Sequence, residues 1–132
     1  MGQLNPAILI VEDDVDIRES LQQFLEMESF DVYTAENGLQ GLESLKKMGR
    51  HCLVLLDLFM PIMTGAEFLS ELKLRNPTFL KEFPVVIMSA APPDGEVVRS
   101  VKSFAADYIK KPVDLDDLLR VIQKYTSAEK VA

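Results

Sequence analysis

Four places in this chain put a chemically capable side chain just after a run of apolar residues. Ala7 to Val11 leads into Glu12, Asp13 and Asp14. Cys52 to Leu56 leads into Asp57, Val85 to Met88 into Ser89, and the short Tyr108–Ile109 is soon followed by Lys111. If these runs are adjacent strands, three carboxylates, a hydroxyl and an ammonium gather at one edge of a sheet. Glu12, Asp13 and Asp57 then repel one another when ionised. Two charges about 4 Å apart at an effective dielectric near 20 cost roughly 4 kcal/mol, so such a site calls for a cation. An all-oxygen donor set with open positions suits Mg2+, which favours one or two carboxylates together with phosphate oxygens. Asp57 is then a carboxylate nucleophile able to form an acyl phosphate. Lys111 and the metal would neutralise charge on the equatorial oxygens, and Ser89 would donate to one of them.

Each of these residues also has a plain structural reading. An acid run ahead of a helix caps it and complements its dipole. An Asp after a strand is a common turn residue, Ser89 can simply begin a loop, and Lys111 can be a solvated cation. The coincidence of all four sets at the ends of the central runs favours chemistry. Cys52 opens an apolar run and reads as a buried, inert thiol. His51 has no partner spacing for metal or triad chemistry and reads as exposed loop.

The apolar runs alternate with segments of helical period. The runs are Ala7–Val11, Asp31–Ala35, Cys52–Leu56, Val85–Met88 and Tyr108–Ile109. Three are nearly continuous in Ile, Leu and Val, as expected of parallel strands covered on both faces. Between and after them, apolar faces are expected at Ile17, Leu21, Phe24 and Leu25, then at Leu39, Leu42 and Leu45. The next are Phe68, Leu69 and Leu72; Val97, Val98, Val101 and Phe104; and Leu115, Leu118, Leu119 and Ile122. Thr64 with Glu67 makes a capping-box pattern, Asp114 can cap the last helix, and Asn37–Gly38 breaks the chain before the second. Pro92–Pro93 delays the fourth helix, and Gly95 lowers its propensity. The expected fold is a doubly wound α/β sheet of five parallel strands in the flavodoxin-like order 2-1-3-4-5. Its ligand crevice lies at the carboxyl ends of the first and third strands.

At 132 residues the chain is expected to be a single domain, 1–132, with a core of about 7–125. One cysteine excludes an internal disulfide. The formal net charge of −7 disfavours nucleic acid and anionic membranes as partners of the bulk surface. No secretory leader pattern opens the sequence, and no apolar run approaches the roughly 20 residues of a membrane span. The expected location is the cytoplasm.

The same residues resemble the receiver domain of bacterial two-component response regulators, CheY-like proteins, from about Ala7 to Tyr125. Ile8 to Asp14 (ILIVEDD) resembles the first strand with its acidic pair, Glu12 and Asp13. Leu53 to Pro61 (LVLLDLFMP) resembles the phosphoacceptor strand and its Met–Pro turn, followed by Gly65. Val85 to Ala90 (VVIMSA) carries a switch hydroxyl at Ser89, and Asp107 to Pro112 (DYIKKP) carries a switch aromatic, Tyr108, with Lys111–Pro112. The resemblance implies phosphorelay signal transduction, with a histidine kinase or histidine phosphotransfer protein as donor. It also implies that the backbone carbonyl of Phe59 completes the Mg2+ site and that the Lys111–Pro112 peptide is cis. Phosphorylation would draw Ser89 inward, Tyr108 would follow, and the face of the fourth helix, fifth strand and fifth helix would engage a downstream protein.

Phe104–Ala105 stands where the family commonly has Gly–Ala, and Pro92–Pro93 lies where the chain must move. Both bear on the output face and neither on the phosphorylation chemistry. Two other functions compete. An aspartyl-phosphate hydrolase of the haloacid dehalogenase type would need an acid at Phe59 and a longer chain. An interaction module without phosphate signalling would normally have lost the acceptor, the acidic pair or the lysine. A phosphoacceptor signalling domain, not an enzyme acting on other substrates, is the expected function. The sequence is compatible with a stand-alone regulator and with a receiver belonging to a longer protein.

Overall fold

Alternate residues of the central strands enter two different hydrophobic cores, which is why those strands read as unbroken apolar runs. The computed structural model describes residues 5–92 and 95–131. Its elements are β1 (Ala7–Val11), α1 (Val15–Met27), β2 (Asp31–Ala35), α2 (Gly38–Met48), β3 (Cys52–Asp57) and α3 (Gly65–Arg75). A helical turn at Phe79–Glu82 precedes β4 (Val85–Ser89), α4 (Glu96–Val101), a 3-10 turn (Lys102–Phe104), β5 (Asp107–Lys110) and α5 (Leu115–Val131). The five strands are parallel, in the order β2-β1-β3-β4-β5.

Leu9, Val11, Val54, Leu56 and Ile87 point to one face and pack with Leu42, Phe68, Leu69, Val98 and Val101 of α2, α3 and α4. Ile8, Ile10, Leu53, Leu55, Val86 and Met88 point to the other, against Leu21 and Leu25 of α1 and Leu118 and Ile122 of α5. Cys52 is buried and His51 exposed, as expected.

The helix starts follow local chemistry. Asp14, Asn37 and Asp114 each accept a hydrogen bond from a backbone N–H three residues on, at 2.9–3.0 Å. Thr64 and Glu67 form the reciprocal capping box, at 2.9 and 3.2 Å. Gly49 ends α2 with φ +64°, a left-handed conformation that favours glycine.

Several expectations need correction. Leu39, Val97 and Leu115, expected on buried helix faces, are substantially exposed. In α2 the inward positions beside Leu42 and Leu45 are held by Gly38 and Gly41, where an added Cβ would come within 2.7 Å of Met63 and 3.0 Å of Phe68, so those side chains would have to shift. The helical turn at Phe79–Glu82 has no counterpart in the sequence reading; it tucks Phe79 into the core ahead of β4. β3, β4 and β5 extend one residue beyond their apolar runs, so Asp57, Ser89 and Lys110 lie within the ladder. α4 is only six residues long; Pro92 is described and Pro93 lies outside the described residues.

Candidate functional site

Each end residue sits where its strand's backbone puts it. Glu12 follows β1, and its N–H bonds the Ala35 carbonyl at 3.1 Å, carrying the β1–β2 ladder one step further. Its side chain is almost completely buried. Asp13 stands exposed beside it, and Asp14 is drawn away to cap α1. Asp57 ends β3 and is 5% exposed. Glu12, Asp13 and Asp57 each offer one carboxylate oxygen to a cluster whose atoms lie within 4.8 Å of one another. Lys111 lies one residue past β5, and its N–H bonds the Ser89 carbonyl at 2.8 Å. The Lys111–Pro112 peptide is cis, as the resemblance implies. From there the ammonium reaches Glu12 Oε1 at 2.8 Å and Asp57 Oδ1 at 3.5 Å.

Ser89, fully buried at the end of β4, accepts a hydrogen bond at Oγ from the Ala91 N–H, 3.1 Å away. A hydroxyl carries one proton to donate, so this contact leaves that proton available. The half-buried Tyr108 hydroxyl lies within reach of the carbonyls of Ser89, at 3.1 Å, and Ala91, and shares its one proton between them. Phe59 N–H points at Asp57 Oδ1 from 3.4 Å, while its side chain is 55% exposed at the rim. Gly65 begins α3 directly beneath the acid: a side chain there would come within 2.6 Å of the Asp57 carbonyl and 2.8 Å of the Leu58 Cα. A glycine at this position lets α3 pack under the end of β3.

The matched family model is that of the response regulator receiver domain, and it spans residues 8–123. The chain belongs to this family. A cyclic di-GMP phosphodiesterase of Thermotoga maritima is 38% identical over 115 residues, covering 86% of this chain and 29% of that protein. A transcriptional regulatory protein, a CpxR homolog of Haemophilus influenzae, is 35% identical over 88% of this chain and 48% of its own length. The chain thus spans less than half the length of these curated relatives. Among solved structures, a CheY-like receiver domain protein from Methanospirillum hungatei matches with a TM-score of 0.80 at 28% identity, covering 96% of this chain and 98% of its own.

The electrostatics of this receiver follow from burial. Desolvation, then the neighbouring Glu12 charge, push the Asp57 carboxyl up from 3.8 to about 7, partly offset by Lys111. Burial acts to lower Lys111, but the Glu12 hydrogen bond and the Asp57 charge outweigh it and raise the ammonium above its ordinary value. Asp57 and Glu12 thus share too little compensating charge, and the three acids present hard oxygen donors. That donor set fits Mg2+. The tightest partner of Lys111 is Glu12 rather than Asp57, a preference that spacing along the chain does not reveal. Sequence reasoning also passed over Arg18, whose Nη1 lies 2.8 Å from the Glu12 carbonyl and 3.4 Å from that of Asp13. The only sequence signal was a cation four residues after Asp14, near the start of a helix whose dipole favours anions there.

Proposed function

We propose that this receiver accepts a phosphoryl group on Asp57 from the phosphohistidine of a histidine kinase or histidine phosphotransfer protein. An Asp57 oxygen attacks phosphorus in line, the phosphorus–nitrogen bond breaks, and the electron pair leaves with the imidazole. The observation that carries this reading is the convergence of the Glu12, Asp13 and Asp57 oxygens within 4.8 Å beside the Lys111 ammonium. Glu12, Asp13, Asp57 and the Phe59 carbonyl would hold Mg2+, which when bound supplies positive charge for the acids and the transferred oxygens. Lys111 is poised to exchange part of its contact with Glu12 for a phosphoryl oxygen, and Ser89 has a proton to donate to another.

The conformational signal would start at Ser89, because its Oγ and carbonyl already bond Ala91 and Tyr108. A phosphoryl group that pulled the Ser89 hydroxyl inward would carry Oγ away from the Ala91 N–H and release the tyrosine bridge. That would bias two packings of the face formed by α4, β5 and α5, where a downstream protein would bind. We assign the receiver unit to residues 1–132, with its core at about 7–125, acting in the cytoplasm as a phosphoacceptor, not an enzyme on other substrates. No helix among the described residues is long and apolar enough to cross a membrane. The phosphodiesterase activity in one relative's name belongs to a protein of which this chain covers 29%, and nothing in the site described above calls for it. The test is intact-protein mass spectrometry after incubation with acetyl phosphate and Mg2+. One labile phosphoryl adduct is expected, absent from Asp57→Asn; an undiminished adduct in that variant refutes the assignment.

A further inference from the structure

Arg18 occupies an unfavourable place for a cation. It lies on the first turn of α1, its N–H bonded to the Asp14 carbonyl at 2.9 Å. The helix dipole presents partial positive charge there, so a guanidinium needs compensating acceptors. Helical side chains lean back toward the N-terminus, which lays the Arg18 head over the β1–α1 turn. There Nη1 donates to the Glu12 carbonyl at 2.8 Å and lies 3.4 Å from the Asp13 carbonyl. These are the peptide oxygens of two of the three residues whose carboxylates enter the acidic cluster.

We infer that Arg18 is a positioning residue for the metal-binding acids, acting by clamping the backbone that carries them. The inference rests on the proposed role of Glu12, Asp13 and Asp57. Asp13 depends on this clamp because its side chain is exposed and no hydrogen bond or ion pair among the described residues holds it. Glu12 is held independently, by Lys111 at 2.8 Å and by the Asp14 N–H at 3.3 Å. Two effects of Arg18 oppose each other. Its charge repels a cation, and its hydrogen bonds pre-organise the ligands. The charge is bonded to carbonyls and partly open to water, where screening weakens it. The orientation of Asp13 has no comparable attenuation, so pre-organisation dominates. Partners that orient metal ligands typically carry about 10- to 100-fold in metal affinity.

The experiment compares full-length wild type, Arg18→Met, Arg18→Gln and Asp13→Ala. Met keeps an unbranched stem without donors, and Gln is too short to reach the carbonyls; whichever folds, by its amide spectrum, supplies the answer. Mg2+ is titrated by calorimetry and by amide shifts, and the Mg2+ dependence of phosphorylation by acetyl phosphate is measured. The expected result is Mg2+ binding weakened by about tenfold in the Arg18 variants. The half-saturating Mg2+ concentration for phosphorylation should rise in step, with the maximal rate kept at saturating Mg2+. A merely structural arginine would lower the unfolding midpoint and leave the affinity of the folded protein alone. Weakening below about threefold, or tighter binding, overturns the inference. So does a lost maximal rate at unchanged half-saturation. If Asp13→Ala still weakens binding in those cases, the reading of the acids stands without Arg18. If wild type binds no Mg2+, that reading fails, and the inference with it.

Discussion

Replacing Asp57 by Asn should make the metal-free protein more stable, and the gain should depend on pH. Asp57 is 5% exposed and faces Glu12, and its folded-state pKa stands at about 7 against 3.8 for the free side chain. Because the folded value is the higher, the native state holds the proton more tightly than the unfolded chain. Below about pH 4 both states are protonated and the residue is neutral for stability. Between that pH and about 7 the native state binds more protons, so stability falls as pH rises. Above about 7 the penalty is complete, and the displacement corresponds to about 4 kcal/mol at roughly 1.36 kcal/mol per pH unit. Asn keeps the shape without the charge. In EDTA at pH 8 it should therefore add roughly 2–4 kcal/mol, or on the order of 10 °C in Tm. At pH 4.5 the gain should shrink to about 1 kcal/mol. Urea unfolding followed by circular dichroism at both pH values measures it. Saturating Mg2+ should stabilise wild type by mass action and narrow the gap to the variant. Equal stability of the two proteins at pH 8 in EDTA, or a gain independent of pH, refutes the reasoning.

Asp13→Ala should weaken Mg2+ binding far more than Asp14→Ala, because Asp14 is committed to capping α1 through the Ile17 N–H at 3.0 Å. Calorimetry decides, and Asp14→Ala should instead cost about 1 kcal/mol of stability through the lost cap. Ile62 sits at φ +69° while 77% exposed, so Ile62→Gly relieves strain at little loss of packing; it should gain about 0.5–1 kcal/mol in urea unfolding. Phe59 stands exposed two residues past Asp57, the proposed acceptor, where a large apolar side chain would hinder an attacking water and could not orient one. Phe59→Asn should speed loss of the phosphoryl group severalfold, read as first-order decay after removal of the donor; unchanged decay would make Phe59 packing alone.

Much of the fold was legible in the sequence because the central strands are covered on both faces. A strand buried on two sides must be apolar at nearly every residue, so β1, β3 and β4 show as continuous runs, and their ends show as the first polar residue. Residues such as Asp57 and Ser89 could thus be located by where hydrophobicity stops. Two caps were legible for a similar reason: Thr64 and Asp114 act on backbone groups three residues away, a range that local sequence spans, whereas Asn37, which also caps, read only as a break before α2. The edge strand β2 and the short α4 carried weaker signals, since one is half exposed and the other only six residues long.

What tertiary structure alone decided are distances between segments far apart in the chain. Lys111 lies 99 positions from Glu12, and only the β1-β3-β4-β5 order with the turn after β5 sets its ammonium nearer Glu12 than Asp57. The raised pKa of Asp57 has the same origin, because desolvation depends on everything packed around a group and not on its neighbours in sequence. The helix faces that differed, at Leu39 and Val97, did so because the partners across the interface chose which side to cover. Residue types and spacing determine which polar groups arrive at this sheet edge. The packed fold determines how closely they meet, how much water they keep, and that the Arg18 guanidinium comes to rest on the Glu12 carbonyl.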